Sequence, residues 1–249
     1  MRSTELRRVA LPSGEAVYRE AGEGFPVVIV AGLGLTSRFY ENSYQTFARA
    51  GLRLIVPHLP GTGGTPGPRT GVDPDLVTSF IAEFASALQL PRALYVGHSL
   101  GAQSVLLLAM HAPALLAGIA LVGPTGSLRA RPLLWQAKGL LAESVRVHPA
   151  VIGAVARDYL RVSPVRYLGT WIRHRDPVAE GRLPEIDIPA LLLLGGRDGV
   201  IDRDYVTLLK AALPDLTVME VPDASHAMPR SQYGAFNAAV IGFARRVGG

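Results

Sequence analysis

At 249 residues, with 49% hydrophobic and 18% charged side chains, the chain has the size of one α/β domain or of a domain carrying a subdomain, and its composition excludes a disordered polymer. Cys is absent, which removes disulfides, thiol nucleophiles, zinc–cysteine sites and iron–sulfur clusters, and fits a reducing compartment. The formal charge of +5 is concentrated in residues 129–182, with ten basic against four acidic residues, while the remainder holds 15 basic against 16 acidic.

Met1–Ala10 lacks the apolar run of a signal peptide, so a cytoplasmic location is expected. Leu6–Leu11 and Ala16–Arg19 flank Pro12-Ser13-Gly14 and read as an antiparallel hairpin. Val27–Val30, Leu52–Val56, Ala93–Val96, Ile119–Val122, Leu191–Leu194 and Thr217–Val221 are near-continuous apolar runs, the pattern of strands buried on both faces. Between them fall helical patterns at Tyr40–Ala50, Asp75–Leu88, Leu100–Met110, Asp204–Leu213 and Gln232–Arg246. This alternation predicts an α/β fold, a mostly parallel doubly wound sheet with helices on both faces.

The rhythm breaks over residues 125–187, where no strand-like run occurs and Leu133–Leu141, Val151–Leu160 and Val165–His174 have helical spacing. We read it as a helical cap or lid inserted into a core formed by residues 1–124 and 188–249. Its charge is read as a solvated helical face. With neither a helix-turn-helix pattern nor aromatic-rich strands beside it, no nucleic-acid partner is expected. Val105–Gly123 has no charged residue, but Pro113 and Gly118 interrupt it, so no membrane span is expected either.

In such sheets ligands bind beyond the carboxyl ends of the strands. Ala93–Val96 leads into Gly97-His98-Ser99-Leu100-Gly101 and then a helix, a G-x-S-x-G turn that presents the Ser99 hydroxyl above the sheet edge at the positive end of a helix. A serine needs a base. Among six His, His226 stands in the turn-rich loop after the last strand; His58 is its main rival, His98 adjoins Ser99 but points away, and His111 ends a helix. The base needs a carboxylate to fix its tautomer, and Asp198 stands just past Leu191–Leu194, with Asp223 as a reserve acceptor.

The order Ser99, Asp198, His226, with Gly97-His98-Ser99-Leu100-Gly101, Gly195-Gly196-Arg197-Asp198 and Ser225-His226, resembles the α/β-hydrolase superfamily from about Glu5 onward. The family's oxyanion loop, usually beginning His-Gly, corresponds to Ala31-Gly32-Leu33-Gly34-Leu35, with Ala31 in place of the His. The resemblance implies that the backbone N–H groups of Leu33 and Leu100 form the oxyanion hole. Leu59-Pro60-Gly61-Thr62-Gly63-Gly64 looks like the family's Pro-Gly-x-Gly turn, with His58 where an Asp is common, and is read as architectural.

The function this implies is hydrolysis of a small or medium carboxylic ester through an acyl-enzyme on Ser99, with no metal or organic cofactor and a small molecule as partner. Leu35, Phe39, Leu128, Trp135 and Met228 are the expected substrate-binding side chains, an apolar set. Two alternatives stand beside it. One is hydrolysis of a carbon–carbon bond next to a ketone, whose enzymes often carry an aromatic after the base, here Ala227. The other is a non-catalytic ligand-binding receptor on the same fold. Oligomeric state is open.

Overall fold

The computed structural model describes residues 4–126, 153, 156, 158, 162–174, 181, 184–201 and 203–249. The expected helix at Leu133–Leu141 and most of that at Val151–Leu160 lie outside the described residues, so the expected cap is described only in part.

Strands β1 (Leu6–Leu11) and β2 (Gly14–Ala21) form the expected hairpin, with Leu11 opposite Gly14. Strand β2 pairs antiparallel with β4 (Leu52–Pro57). The other strands, β3 (Phe25–Val30), β5 (Ala93–His98), β6 (Leu116–Val122), β7 (Ala190–Gly195) and β8 (Leu216–Val221), run parallel, in the order β1-β2-β4-β3-β5-β6-β7-β8. The described helices are α1 (Tyr44–Arg49), α2 (Pro74–Ala87), α3 (Gly101–His111), α4 (Pro164–Arg173), α5 (Arg203–Ala212), the single turn α6 (Met228–Ser231) and α7 (Tyr233–Gly248).

Alternation along the strands divides the core into two layers. Val28, Val30, Tyr95, Leu121 and Leu192 pack with Phe84 of α2, Leu106 of α3 and Leu209 of α5. Val27, Ile29, Val96, Val122 and Leu193 pack with Phe47 of α1 and Phe236 and Val240 of α7. Both faces of the central strands are therefore covered. Strand β8 is not: it is the sheet's edge, with β7 as its neighbour, and Val218 and Met219 are 37% and 44% exposed, so its apolar run does not mark a strand buried on both faces.

The expected helix at Tyr40–Ala50 is also divided. A turn of 3-10 helix at Ser37–Tyr40 is followed by α1, because Glu41 N–H and Ser43 N–H bond back to Arg38 O and Tyr40 O and break the α-helical ladder. Among the described residues no helix is long and apolar enough to cross a membrane.

Helix α4 begins with Ser163 accepting from Arg166 N–H and Pro164 at its first turn. It docks on the loop after β4. Arg166 donates to Gly61 O at 2.7 Å and to Gly67 O and Pro68 O, both at 2.9 Å, and Thr170 Oγ1 accepts from Val72 N–H at 3.0 Å. A Cβ on Gly169 would lie 1.9 Å from Thr70 O, so only glycine permits this approach.

Candidate active site

The turn from β5 into α3 is a strained corner. Ser99 has φ +55°, a left-handed conformation costly for a residue with a Cβ, and its N–H is held by Val122 O at 2.9 Å. The corner excludes side chains on both flanks: a Cβ on Gly97 would lie 2.5 Å from Ala102 Cα, and one on Gly101 2.2 Å from Val30 O. Its product is the Ser99 hydroxyl at the carboxyl edge of the sheet.

His226 comes from the loop between β8 and α6, and its Nε2 is 2.9 Å from Ser99 Oγ. Its Nδ1 is 2.8 Å from Asp198 Oδ2, on the loop after β7. Asp198 is held in turn: its side chain is 1% exposed, and Oδ1 accepts from Val200 N–H at 2.8 Å and Ile201 N–H at 3.3 Å. A carboxylate only accepts, so Nδ1 carries the proton and the bare Nε2 accepts the Ser99 O–H. Three distant stretches of chain thus form one hydrogen-bonded line from alcohol to imidazole to carboxylate.

The rivals have other employment. Asp223 pairs with Arg197 at 2.5 Å on the surface. His58 is buried, its Nδ1 bonded to Gly63 O at 2.8 Å and its Nε2 to Ser37 Oγ at 2.7 Å, so it braces a loop. His111 ends α3.

His98 has a role that the sequence concealed. It is 1% exposed and stacks on Phe39 with ring centroids 5.6 Å apart. Its Nε2 is 3.2 Å from the His226 backbone oxygen and its Nδ1 2.9 Å from Tyr40 Oη. Because a carbonyl only accepts, Nε2 carries the proton, and Tyr40 O–H donates to Nδ1. Tyr40 therefore sets the tautomer with which His98 holds the His226 loop. Tyr40→Phe is expected to lower kcat several-fold with KM little changed, and His98→Gln, which can still offer an N–H, should retain more kcat than His98→Leu. Equal kcat in the two His98 variants would contradict this role.

Burial, with the nearby His226 adding to it, pushes the His98 pKa down to about 3; burial alone pushes that of His174, at the end of α4, to about 4. The unfolded chain takes up these protons near pH 6.5, whereas the folded chain stays neutral, so it binds fewer. Stability is thus fully present above pH 6.5 and is lost as the pH falls toward 4, at about 1.4 kcal/mol per pH unit for each histidine. Urea midpoints should fall steadily from pH 7 to 5; a constant midpoint would contradict it.

Gly32 packs against the corner, a Cβ there falling 3.1 Å from Ser99 Cβ and 3.5 Å from Leu35 Cδ1, so the Ala31–Leu35 loop lies beside Ser99. Leu33 and Leu100 both line a cavity of about 40 Å³ beside this corner. Its other described walls include Leu59, Pro60, Val77, Val162, Thr170 and His174, none of which was singled out as substrate-binding from sequence. Leu35, Phe39 and Met228 do not line it: they are buried at 6%, 2% and 2% exposure, packed under the loops that carry the site. Leu128 and Trp135 lie outside the described residues. Sequence reasoning also missed Asp158, a buried carboxylate of the insertion whose Oδ2 accepts from Thr36 N–H at 2.9 Å and Thr36 Oγ1 at 2.8 Å, fixing the end of the same loop. Among the described residues no group of three His, Asp or Glu side chains converges as a metal-binding set.

Residues 27–239 match the family described as "Alpha/beta hydrolase family". A Variovorax paradoxus protein, provisionally named the carbamate hydrolase RutD, is 25% identical over 90% of this chain and 93% of its own. The N-formylmaleamate deformylase of Pseudomonas putida is 26% identical over 89% of each chain. Among solved structures, the esterase EaEST from Exiguobacterium antarcticum superposes with a TM-score of 0.82 at 17% identity, covering 96% of this chain and 98% of its own, a likeness of fold.

Proposed function

The chain belongs to the alpha/beta hydrolase family, and from that premise we propose that it is a serine hydrolase that transfers an acyl group from a small carboxylic ester to water through an acyl-enzyme on Ser99. The observation that supports this reading is the continuous line Ser99–His226–Asp198, at 2.9 and 2.8 Å, with the serine in a strained corner. Ser99 Oγ attacks the carbonyl carbon while His226 Nε2 takes its proton. The Leu33 and Leu100 amides receive the charge that develops on the carbonyl oxygen, and loss of one such donor costs on the order of 3 kcal/mol. The carbon–oxygen bond breaks as His226 returns the proton to the departing alcohol. Water then gives a proton to His226 and its oxygen to the acyl carbon, releasing the acid and restoring Ser99.

The nucleophile narrows the chemistry. Displacement at carbon by serine would leave an ether that water does not open, so epoxide and haloalkane substrates do not suit it. The two curated relatives are named for a carbamate and an N-formyl amide, so amide and carbamate carbonyls belong in the same test. For carbon–carbon cleavage beside a ketone the catalytic line would serve equally, but Ala227 supplies no aromatic after the base. The insertion 125–187 is proposed to cap the site, a reading supported by the docking of α4 on the loop after β4.

A series of nitrophenyl esters of increasing acyl length, run with the matching carbamates and anilides, tests this. Turnover highest for short esters and falling with length is expected from the confined cavity. A folded protein that turns over none of them would overturn the proposal.

A further inference from the structure

The cavity beside the corner has mainly apolar walls, yet among the described residues one buried polar atom in its lining is unsatisfied. His174 is 2% exposed and lines the cavity, and its Nε2 has no hydrogen-bond partner. Native structures rarely leave such an atom unpaired, because burial without a partner forfeits the bond to water. The same cavity is walled by Leu33, Gly34, Leu100 and Gly101, the segments that the proposed function places around the developing oxyanion. The cavity therefore adjoins the place where the proposed function puts the reacting carbonyl.

We propose that this cavity is a substrate subsite for a short arm bearing a neutral hydrogen-bonding group, a keto, hydroxyl or carboxamide function, and that His174 recognises that group. The inference rests on the hydrolase reading and adds a substrate class to it. Size sets the length: about 40 Å³ admits roughly three water-sized spheres, hence a few heavy atoms.

Charge sets the polarity. Arg166 also lines the cavity, but its Nε, Nη1 and Nη2 donate to Pro68 O, Gly61 O and Gly67 O, which directs its guanidinium to the β4 loop. The Asp73 carboxylate stands in the same wall, accepting from Leu76 N–H, and opposes a carboxylate on the substrate. A cationic arm would shed its hydration among Leu59, Pro60, Val77 and Val162. A neutral imidazole suits a neutral partner, and burial keeps His174 neutral, with its pKa down to about 4.

Isosteric pairs test the subsite from either side of the ester: para-nitrophenyl levulinate against para-nitrophenyl isocaproate for the acyl arm, and acetonyl butanoate against isobutyl butanoate for the alcohol arm. In the wild type one pair should favour its keto member by about tenfold or more in kcat/KM, carried mainly by KM. His174→Leu should abolish the preference and His174→Gln retain part of it. As a readout independent of turnover, acetamide should shift the His174 imidazole nitrogen resonances saturably, by NMR on isotopically labelled Ser99→Ala protein. Should no ester be hydrolysed while acetamide still shifts His174, the hydrolase reading fails and the subsite stands. An unmoved resonance, or a keto preference unchanged in His174→Leu, overturns the subsite and leaves a water-filled cavity.

Discussion

Ser99→Ala is expected to lower kcat/KM for the best ester by about a millionfold, to the rate that binding and the oxyanion amides sustain without a nucleophile. The size follows from the proposed covalent route, since an alanine methyl forms no acyl-enzyme and offers His226 no proton to take. Folding should survive, because alanine meets the φ of +55° with no more side chain than serine has, and the corner's other restraints are backbone contacts and the glycines on either side. The variant should therefore keep the wild-type urea midpoint within about 1 kcal/mol of stability. A folded Ser99→Ala protein retaining a tenth of wild-type activity would remove Ser99 from the chemistry.

Asp198→Asn is expected to reduce kcat about ten-thousandfold with KM nearly unchanged. An amide can turn its N–H toward His226 Nδ1, which moves the imidazole proton to Nε2, where it blocks acceptance of the Ser99 proton. The backbone bonds from Val200 and Ile201 to Oδ1 can persist on the amide oxygen, so the loop keeps its place. Asp223→Asn is the control. Its carboxylate pairs only on the surface, with side chains 62% and 77% exposed in the pair with Arg197, so kcat should change less than about twofold. Similar losses in the two variants would show that the base does not depend on Asp198.

The sheet and the hydrogen-bonded line Ser99–His226–Asp198 were legible because each is written in local pattern. Apolar runs fixed β3 to β7 to within a few residues, and the glycines around Ser99 announced a corner whose sterics the structure makes explicit. Asp198 and His226 could be found because strand ends are where such sheets gather their ligands. Strand β8 shows the limit of that logic: Thr217–Val221 carries Thr217 and Glu220 among its apolar residues, and its place at the end of the sheet order leaves Val218 and Met219 partly exposed.

Other parts depend on long-range pairing that no local pattern records. Tyr40 and His98 are 58 residues apart, Thr36 and Asp158 122 apart, and Val72 and Thr170 98 apart. Each contact joins a loop around the site to another element, so their meeting is a consequence of topology. Phe39 is an example: its apolar ring, expected as a substrate wall, stacks on His98, whose Nε2 bonds the His226 backbone oxygen. His174 ends a basic, helical stretch with no local pattern to mark it, and the burial of its unpaired nitrogen depends on how α4 packs.

The central claim is that the hydroxyl at the β5–α3 corner is the nucleophile. Treatment with a fluorophosphonate, followed by peptide mass spectrometry, tests it most directly. One adduct per chain on Ser99, abolished in Ser99→Ala and strongly slowed in Asp198→Asn, is the predicted result. A folded protein that stays unlabelled, or carries its adduct on another residue, would contradict the account.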